Sequence, residues 1–308
     1  MIEVVNATPA LQATRCAICG TEGNATELFP STLTPKAFDA RTFSARRLPD
    51  RVHYRMVKCN ECGLVRADPA ADSAEVAGLY ARSTFDYGTE VANLQRTYGR
   101  YLGKLDRHGA QHDGLVEVGC GNGFFLEEAL RRGYRNVRGI EPSHDAIESA
   151  SPSVKPLIIE DMLRPGAVPD QSAGVACLFH VFDHLPDPGA ALDELHRILK
   201  PGGLALILNH DVDAPSAKAL GEKSPIVDVE HYYLYSRATL GKLAEAHGFE
   251  VVESGSVWND YSAGYVARLL PLPGGVKSGL QGLLKSTRLA KPKVRVPLGN
   301  LYVVARRK

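Results

Sequence analysis

Three glycines in five residues, Gly119, Gly121 and Gly123, stand between an apolar strand signal at 115–118 and a helical stretch at 122–132. Glycine lets the backbone turn sharply and lets a ligand approach with no Cβ in the way, so the run predicts a strand, a tight turn and a helix. The pattern then repeats. Further apolar strands are predicted at 137–141, 156–160, 174–179 and 204–209, with a helix opened by Ser143 after the first of them. Asp187-Pro188 opens another helix, a capping side chain before a proline at the first helical position, and that helix stops at Lys200-Pro201-Gly202-Gly203. Ser236 caps one more, ending at Gly248, and 249–257 and 300–307 close the chain as strands. Alternating strands and helices predict an α/β fold, a doubly wound, mostly parallel seven-stranded sheet of Rossmann-like type. Ligands of such sheets bind outside the carboxyl ends of the strands.

The 308 residues leave room for a small second unit, and 44% hydrophobic with 23% charged residues is ordinary globular composition. Residues 1–72 carry few helical signals and are read as a separate module, with 73–308 as the main domain. Val76, Leu79 and Tyr80, then Leu94, Tyr98, Tyr101, Leu102 and Leu105, predict a pair of helices leading into it. No run of 18 apolar residues predicts a membrane span, and the start lacks the basic and apolar regions of a secretory leader. The expected location is the cytoplasm. Charge is lopsided: from Tyr261 onward there are ten Lys and Arg and no Asp or Glu, leaving 26 basic against 35 acidic residues before it. A basic end of this kind suits an anionic partner, and its ordinary reading is a solvated tail.

Glu117 precedes the glycine turn, and Glu141 ends the second strand 22 residues after Gly119. A carboxylate at the end of that strand suits the two hydroxyls of a ribose. Glu160-Asp161-Met162 ends the third strand, an acid and an apolar side chain suited to the amino edge and face of adenine. A dinucleotide site prefers G-x-G-x-x-G and a pyrophosphate at the helix N-terminus, whereas here the third glycine comes one residue early. Glu117 would repel a pyrophosphate but suits a cation, such as a sulfonium with a free amino group. The residues therefore favour S-adenosylmethionine over a nicotinamide dinucleotide.

Cys16-x2-Cys19 and Cys59-x2-Cys62 are each followed by glycine, Gly20 and Gly63. In a reducing compartment two such pairs read as zinc knuckles, and four thiolates make a closed structural site with no open position for water. The 39 residues between the pairs exceed the usual spacing and imply an insertion, in which Arg41, Arg46, Arg47, Arg51 and Arg55 suit an anionic acceptor or plain solvent.

The stretch VEVGCGNGFFLEEALRRGY, then GIEPS, then FHVFDHLPDPGAALDELHRILKPGG resembles the class I S-adenosylmethionine-dependent methyltransferases. YRMVKCNECGLVRADP and EHYYLYSRATLGKLAEAHGFEVV are similar to the bacterial group of that class with an N-terminal zinc-binding module, and the resemblance covers roughly residues 55–257. It implies that Gly119, Cys120, Gly121, Asn122, Gly123 and Phe124 line the methionine part of the cofactor. Glu141 and Pro142 would hold the ribose, Asp161 and Met162 the adenine, and Phe179-His180 would lie beside the methyl group. The group usually has Glu-His where this chain has Asp183-His184, and the shorter acid is read as a helix cap or loop tether.

Methyl transfer needs an aligned acceptor and often a base. His231 is the first expected base, with Tyr232 or Tyr233 shaping the acceptor pocket; His184 is second and His210 third. Residues 258–296 interrupt the last two strands and are read as a lid-like insertion, in which Val276, Leu280, Leu283 and Leu284 fall at helical spacing beside Lys277, Lys285 and Arg288. That helix packs on the domain or touches a membrane surface or lipid-linked acceptor. The expected reaction is O-methylation of a small molecule, a sugar or secondary metabolite, with C- or N-methylation as alternatives. Zinc-ribbon RNA methyltransferases combine the same two parts, but a net charge of +1 and a single Trp disfavour nucleic acid. A non-catalytic binding module is the remaining alternative. Oligomeric state is not legible.

Overall fold

The structure, a computed structural model, describes residues 10–34, 51–83, 91–262, 264, 267, 275, 278, 279, 282–284 and 293–308. Arg41, Arg46, Arg47, Val276, Lys277, Leu280, Lys285 and Arg288 lie outside these residues. The N-terminal strands are β1 (Leu11–Gln12), β2 (Ala25–Phe29), β3 (Met56–Cys59), β4 (Val65–Ala67) and β5 (Ala70–Ala71). They are followed by β6 (Asp113–Val118), β7 (Arg135–Glu141), β8 (Ile158–Glu160), β9 (Ala173–Phe179) and β10 (Leu199–His210). The last are β11 (Tyr233–Leu234), β12 (Phe249–Ser256), β13 (Asn259–Ser262), β14 (Lys293–Val296) and β15 (Asn300–Arg307). The helices are α1 (Ser73–Ala81), α2 (Val91–Leu102), α3 (Phe124–Arg131), α4 (His144–Glu148), α5 (Pro188–Ile198), α6 (Pro215–Leu220) and α7 (Arg237–Ala246).

Seven strands form the central sheet in the order β12-β15-β10-β9-β6-β7-β8, parallel except for β15, which runs antiparallel to both β10 and β12. The inner strands are apolar at nearly every position because both faces are covered. Val116, Val118, Ala176, Leu178, Ala205 and Ile207 belong to one apolar layer, and Leu115, Val175, Cys177, Phe179, Leu206 and Leu208 to the other. Successive residues thus serve opposite layers, as the strand period of two requires.

The caps fall where the side chains dictate. Asp187 accepts from Ala190 N at 2.9 Å and Ser143 from Ala146 N at 3.4 Å, while Ser236 and Thr239 form a reciprocal capping box. Among the boundaries that differ from the sequence reading, two have a local cause in glycine or proline. The first main helix begins at Phe124, since Gly119, Gly121 and Gly123 all take positive φ and hold the chain in the turn through residue 123. β10 starts at Leu199, running straight out of α5 and absorbing Pro201-Gly202-Gly203 as an irregularity between Leu199 and Leu204.

The N-terminal strands build their own sheet, β11-β4-β3-β2, all antiparallel. Its fourth strand comes from residues 233–234, so the sheet crosses the boundary expected at residue 72. Of the 258–296 segment, β13 and β14 pair as an antiparallel ribbon, and Asp260 ties it to α2: its carboxylate meets Arg100 at 2.7 Å and Arg295 at 2.9 Å, and its N–H donates to Thr97 Oγ1 at 3.0 Å. Leu283 is exposed and Leu284 half-buried. Among the described residues no helix is long and apolar enough to cross a membrane.

Candidate active site and cysteine cluster

β6 delivers Glu117 to the foot of the glycine turn. Its carboxylate is buried, and Oε2 has no hydrogen-bond partner among the described residues. Burial, then the nearby Glu141 charge, pushes the Glu117 carboxyl well above its ordinary pKa. Glu141, at the end of β7, is also raised by burial, but two backbone donors oppose the rise: Gly121 N–H to Oε2 at 2.8 Å and Ser143 N–H to Oε1 at 2.9 Å. Asn122 Oδ1 is likewise buried without a hydrogen-bond partner among the described residues. The turn therefore gathers two close carboxyls and one amide oxygen, all acceptors, around bare backbone. That set fits a cationic ligand rich in donors and repels a phosphate.

Glycine is required at Gly119 for two reasons: φ is +70°, and a Cβ there would lie 2.4 Å from Val181 Cγ2. Gly119→Ala is expected to lower stability by about 1–3 kcal/mol, read as a drop in melting temperature. An unchanged melting curve would mean that the turn is looser than described.

Val181 belongs to the loop after β9, so the segment resting on Gly119 leads directly into a second group of residues. Asp183, fully buried in a short 3-10 turn at Phe182–His184, stands at its centre. Its Oδ2 is 2.7 Å from His210 Nδ1 and 3.8 Å from His231 Nε2, and its Oδ1 is 3.6 Å from His184 Nε2. The rings of His184 and His210 each lie 4.9 Å from that of His231, and the His180 ring lies 4.8 Å from that of His210. His180 holds φ +56°, a left-handed conformation that side chains rarely adopt. Burial alone would raise the Asp183 carboxyl, but His231, His210 and His184 together hold it far below the usual range. His231 donates or accepts through Nδ1 at 2.7 Å from Ile226 O; a carbonyl only accepts, so Nδ1 carries the proton and Nε2 the lone pair. Burial lowers the His231 pKa, against the opposing pull of the Asp183 charge. His184 Nδ1 meets Tyr80 Oη at 2.7 Å.

The group brings together all three histidines expected as bases, together with His180, at the carboxyl ends of β9 and β10 and in the loop before β11. It also contains Asp183, which the sequence reading set aside as a cap or tether. The available signal was a histidine at or just after the ends of two successive strands, β9 and β10, and another in the segment that leads into β11. Tyr232 lies elsewhere: its hydroxyl donates to Ala71 O at 3.2 Å and its ring lies 5.8 Å from that of Tyr54, on the N-terminal sheet. Tyr233 likewise donates to Pro186 O, at 3.3 Å.

Phe179 ends β9 buried and stacked on Tyr98 of α2 at 4.1 Å, with Phe124 5.9 Å from the same tyrosine. Cys120 is buried, and Pro142 and Met162 are half-buried near the ends of β7 and β8. Asp161 is paired with Arg164 at 2.7 Å, which lowers its pKa, and its N–H donates to Glu141 O at 3.2 Å. A further acid thus sits beside Glu141, at the carboxyl end of β8.

Cys16, Cys19, Cys59 and Cys62 are free thiols, and their four sulfurs lie within 4.8 Å of one another. Cys16 Sγ is 3.3 Å from Cys62 Sγ, and Cys19 Sγ is 3.5 Å from Cys59 Sγ. An ion bound to four sulfurs at about 2.3 Å sets them about 3.8 Å apart, so little movement is needed. Each pair sits on a tight turn, Gly20 N–H donating to Cys16 O at 2.8 Å and Gly63 N–H to Cys59 O at 3.0 Å.

The sequence profile of the methyltransferase domain family matches residues 91–254, more than half of the chain. Over 102 residues the chain is 31% identical to a ubiquinone biosynthesis O-methyltransferase of Psychrobacter cryohalolentis, covering 30% of this chain and 39% of that one. Over 171 residues it is 28% identical to a malonyl-[acyl-carrier protein] O-methyltransferase of Serratia marcescens, covering 55% and 65%. The chain thus spans less than two thirds of the length of either relative. A solved structure of a SAM dependent methyltransferase from Archaeoglobus fulgidus overlays 71% of this chain and 97% of its own at 15% identity, with a TM-score of 0.49.

Proposed function

The chain belongs to the methyltransferase domain family, and from that premise we propose that it transfers a methyl group from S-adenosylmethionine to a small-molecule acceptor. The observation that carries this reading is the buried Glu117 carboxyl, its Oε2 without a partner among the described residues, beside Glu141, a pair that a cation would hold in ionised form. S-adenosylmethionine, when bound, supplies a methyl group on a positively charged sulfur. Glu117 would hold its cationic methionine end over Gly119, Gly121 and Gly123. Glu141, already fixed by Gly121 and Ser143, would take the ribose hydroxyls with its remaining lone pairs. Asp161 and Met162 would frame the adenine, and Phe179-His180 would face the methyl group.

The acceptor would enter on the side of the Asp183 group, where His210 and His184 keep partial exposure. His210 is the best-oriented base, its ring fixed by the 2.7 Å contact with Asp183, in place of His231, the first expected from sequence. Both relatives quoted above are named O-methyltransferases, which supports oxygen as the accepting atom. A sugar or secondary metabolite remains the proposed acceptor class, and the cytoplasm the proposed location. We further propose that the four cysteines hold one structural zinc, making residues 1–72 a metal-stabilised module beside the 73–308 domain.

The test is proton linkage. Burial raises the Glu117 carboxyl, so its contribution to apo stability is fully present at acid pH and is lost as pH rises through the raised value. A cation favours the ionised carboxylate, so binding should expel a proton at pH values between the pKa of the complex and the raised apo value. Calorimetry in two buffers of different ionisation enthalpy should therefore show proton release, with Kd for S-adenosylmethionine falling as pH rises from about 5 to 8. Glu117→Gln should abolish the release and weaken binding at least about tenfold. Binding that is independent of pH, without proton release, would remove the cationic-pocket reading. An acceptor screen read by S-adenosylhomocysteine release then identifies the substrate.

A further inference from the structure

The geometry points to a second metal site, separate from the cysteines, in which Asp183 Oδ2, His210 Nδ1 and His231 Nε2 bind one divalent transition ion. These atoms lie within 4.8 Å of one another, with Oδ2 2.7 Å from His210 Nδ1 and 3.8 Å from His231 Nε2. Those separations bracket the roughly 3.0–3.5 Å between neighbouring nitrogen and oxygen ligands of an ion held at about 2.0–2.2 Å. Two imidazoles and one carboxylate suit zinc, iron, cobalt or nickel rather than magnesium or calcium.

The surrounding contacts prepare the ligands. His231 donates its Nδ1–H to Ile226 O, so in the neutral ring the Nε2 lone pair faces Asp183 Oδ2, and a cation between the two acceptors would serve both. A ligating histidine characteristically donates its other N–H to a backbone carbonyl in this way. Asn209, fully buried on β10, faces the other carboxylate oxygen. With its amide nitrogen turned toward Asp183 it donates to Oδ1 at 3.0 Å, and its amide oxygen accepts from Asp183 N–H at 3.3 Å. Oδ1 is thereby engaged and Oδ2 left for the ion. When the ion binds, His210 carries its proton on Nε2 instead of Nδ1.

Three protein ligands leave positions open, and the partly exposed His210 edge is where an acceptor oxygen would reach them. The role of the ion rests on the methyl-transfer reading: it would bind the acceptor oxygen and lower its pKa, replacing an imidazole as the means of proton removal. The site itself does not depend on that reading.

Zinc-saturated, desalted full-length protein should contain two zinc ions per chain by elemental analysis, and zinc X-ray absorption should report mixed sulfur and imidazole scatterers. His210→Ala and His231→Ala should each remove one ion and the imidazole signal while retaining the sulfur signal. Asn209→Ala should weaken binding of the second ion about tenfold or more. One ion per chain in the wild type, with sulfur scatterers alone, would overturn the site, as would variants that keep both ions. Binding of S-adenosylmethionine by the same preparations separates the two readings: its loss would remove the methyltransferase proposal and leave the ion count as it stands.

Discussion

His210→Ala should lower kcat by about 10²–10⁴-fold while leaving Kd for S-adenosylmethionine within about threefold, because in the proposed reading the residue serves the acceptor and not the cofactor turn. His210 ends β10, one strand beyond β9, and its imidazole is held against a fully buried carboxylate. Asp183→Asn tests how that ring is positioned. It keeps the shape but removes the charge, so the ring loses its orientation without losing its nitrogen. kcat should fall, and His210→Ala in the same chain should cost little more, since residues that act as a unit are not additive. Thermal unfolding of both variants shows whether the fold survives. Full activity in His210→Ala would end any role for this group in removing the acceptor's proton, whether to the imidazole or under the pull of an ion.

Cys59→Ser should produce the largest loss of stability. Cys59 is buried and sits between two knuckle contacts, Gly63 N–H on its carbonyl and Cys19 Sγ at 3.5 Å from its sulfur. β2 is largely exposed and residues 20–28 contribute no buried side chain, and the buried residues Tyr54, Met56, Leu64, Val65 and Ala67 share one apolar cluster with the central sheet instead of forming a core of their own. For a unit of this kind the free energy of metal binding is folding free energy, about 10–16 kcal/mol for small zinc-dependent domains. Losing one thiolate should therefore release the thiolate-bound zinc and unfold the N-terminal strands, read as a separate low-temperature transition in calorimetry, while the large sheet melts near its original temperature. Chelation of the wild type should give the same two-step profile. A single unchanged transition after complete metal removal would show that the cysteines hold no structural ion.

The central sheet was legible because its strands are apolar on both faces and punctuated by side chains with one clear use. The strand expected at 174–179 is observed at Ala173–Phe179, and Ser143, Asp187 and Ser236 each cap the helix they were expected to open. Glu117 and Glu141 come close for a reason the sequence carries: they lie near the carboxyl ends of β6 and β7, adjacent parallel strands joined through the glycine turn and α3. Asp183 was not legible in this way. Its partners lie 27 and 48 positions downstream, and only the parallel order of β9 and β10 with the return through β11 brings them together. Tyr232 illustrates a neglected local rule. His231 and Tyr232 are neighbours leading into an extended strand, so their side chains point to opposite faces. Once His231 turns toward Asp183, Tyr232 must turn toward Ala71 and Tyr54, and one acceptor pocket cannot receive both.

The peptide of Tyr232 is a seam. Its N–H donates to Asp183 O at 2.9 Å and its carbonyl accepts from Ala67 N–H at 2.8 Å, so a single residue is stitched to the histidine cluster on one side and to the cysteine-bearing sheet on the other. A version of this protein trimmed back to residue 73 would leave the edge of Tyr233–Leu234 bare, with the Tyr232 carbonyl stripped of its donor and the faces of Tyr232 and Tyr233 open to water. Shortened forms should be prone to self-association. A foreign N-terminal unit grafted onto residues 73–308 should therefore need its own strand to fill that edge.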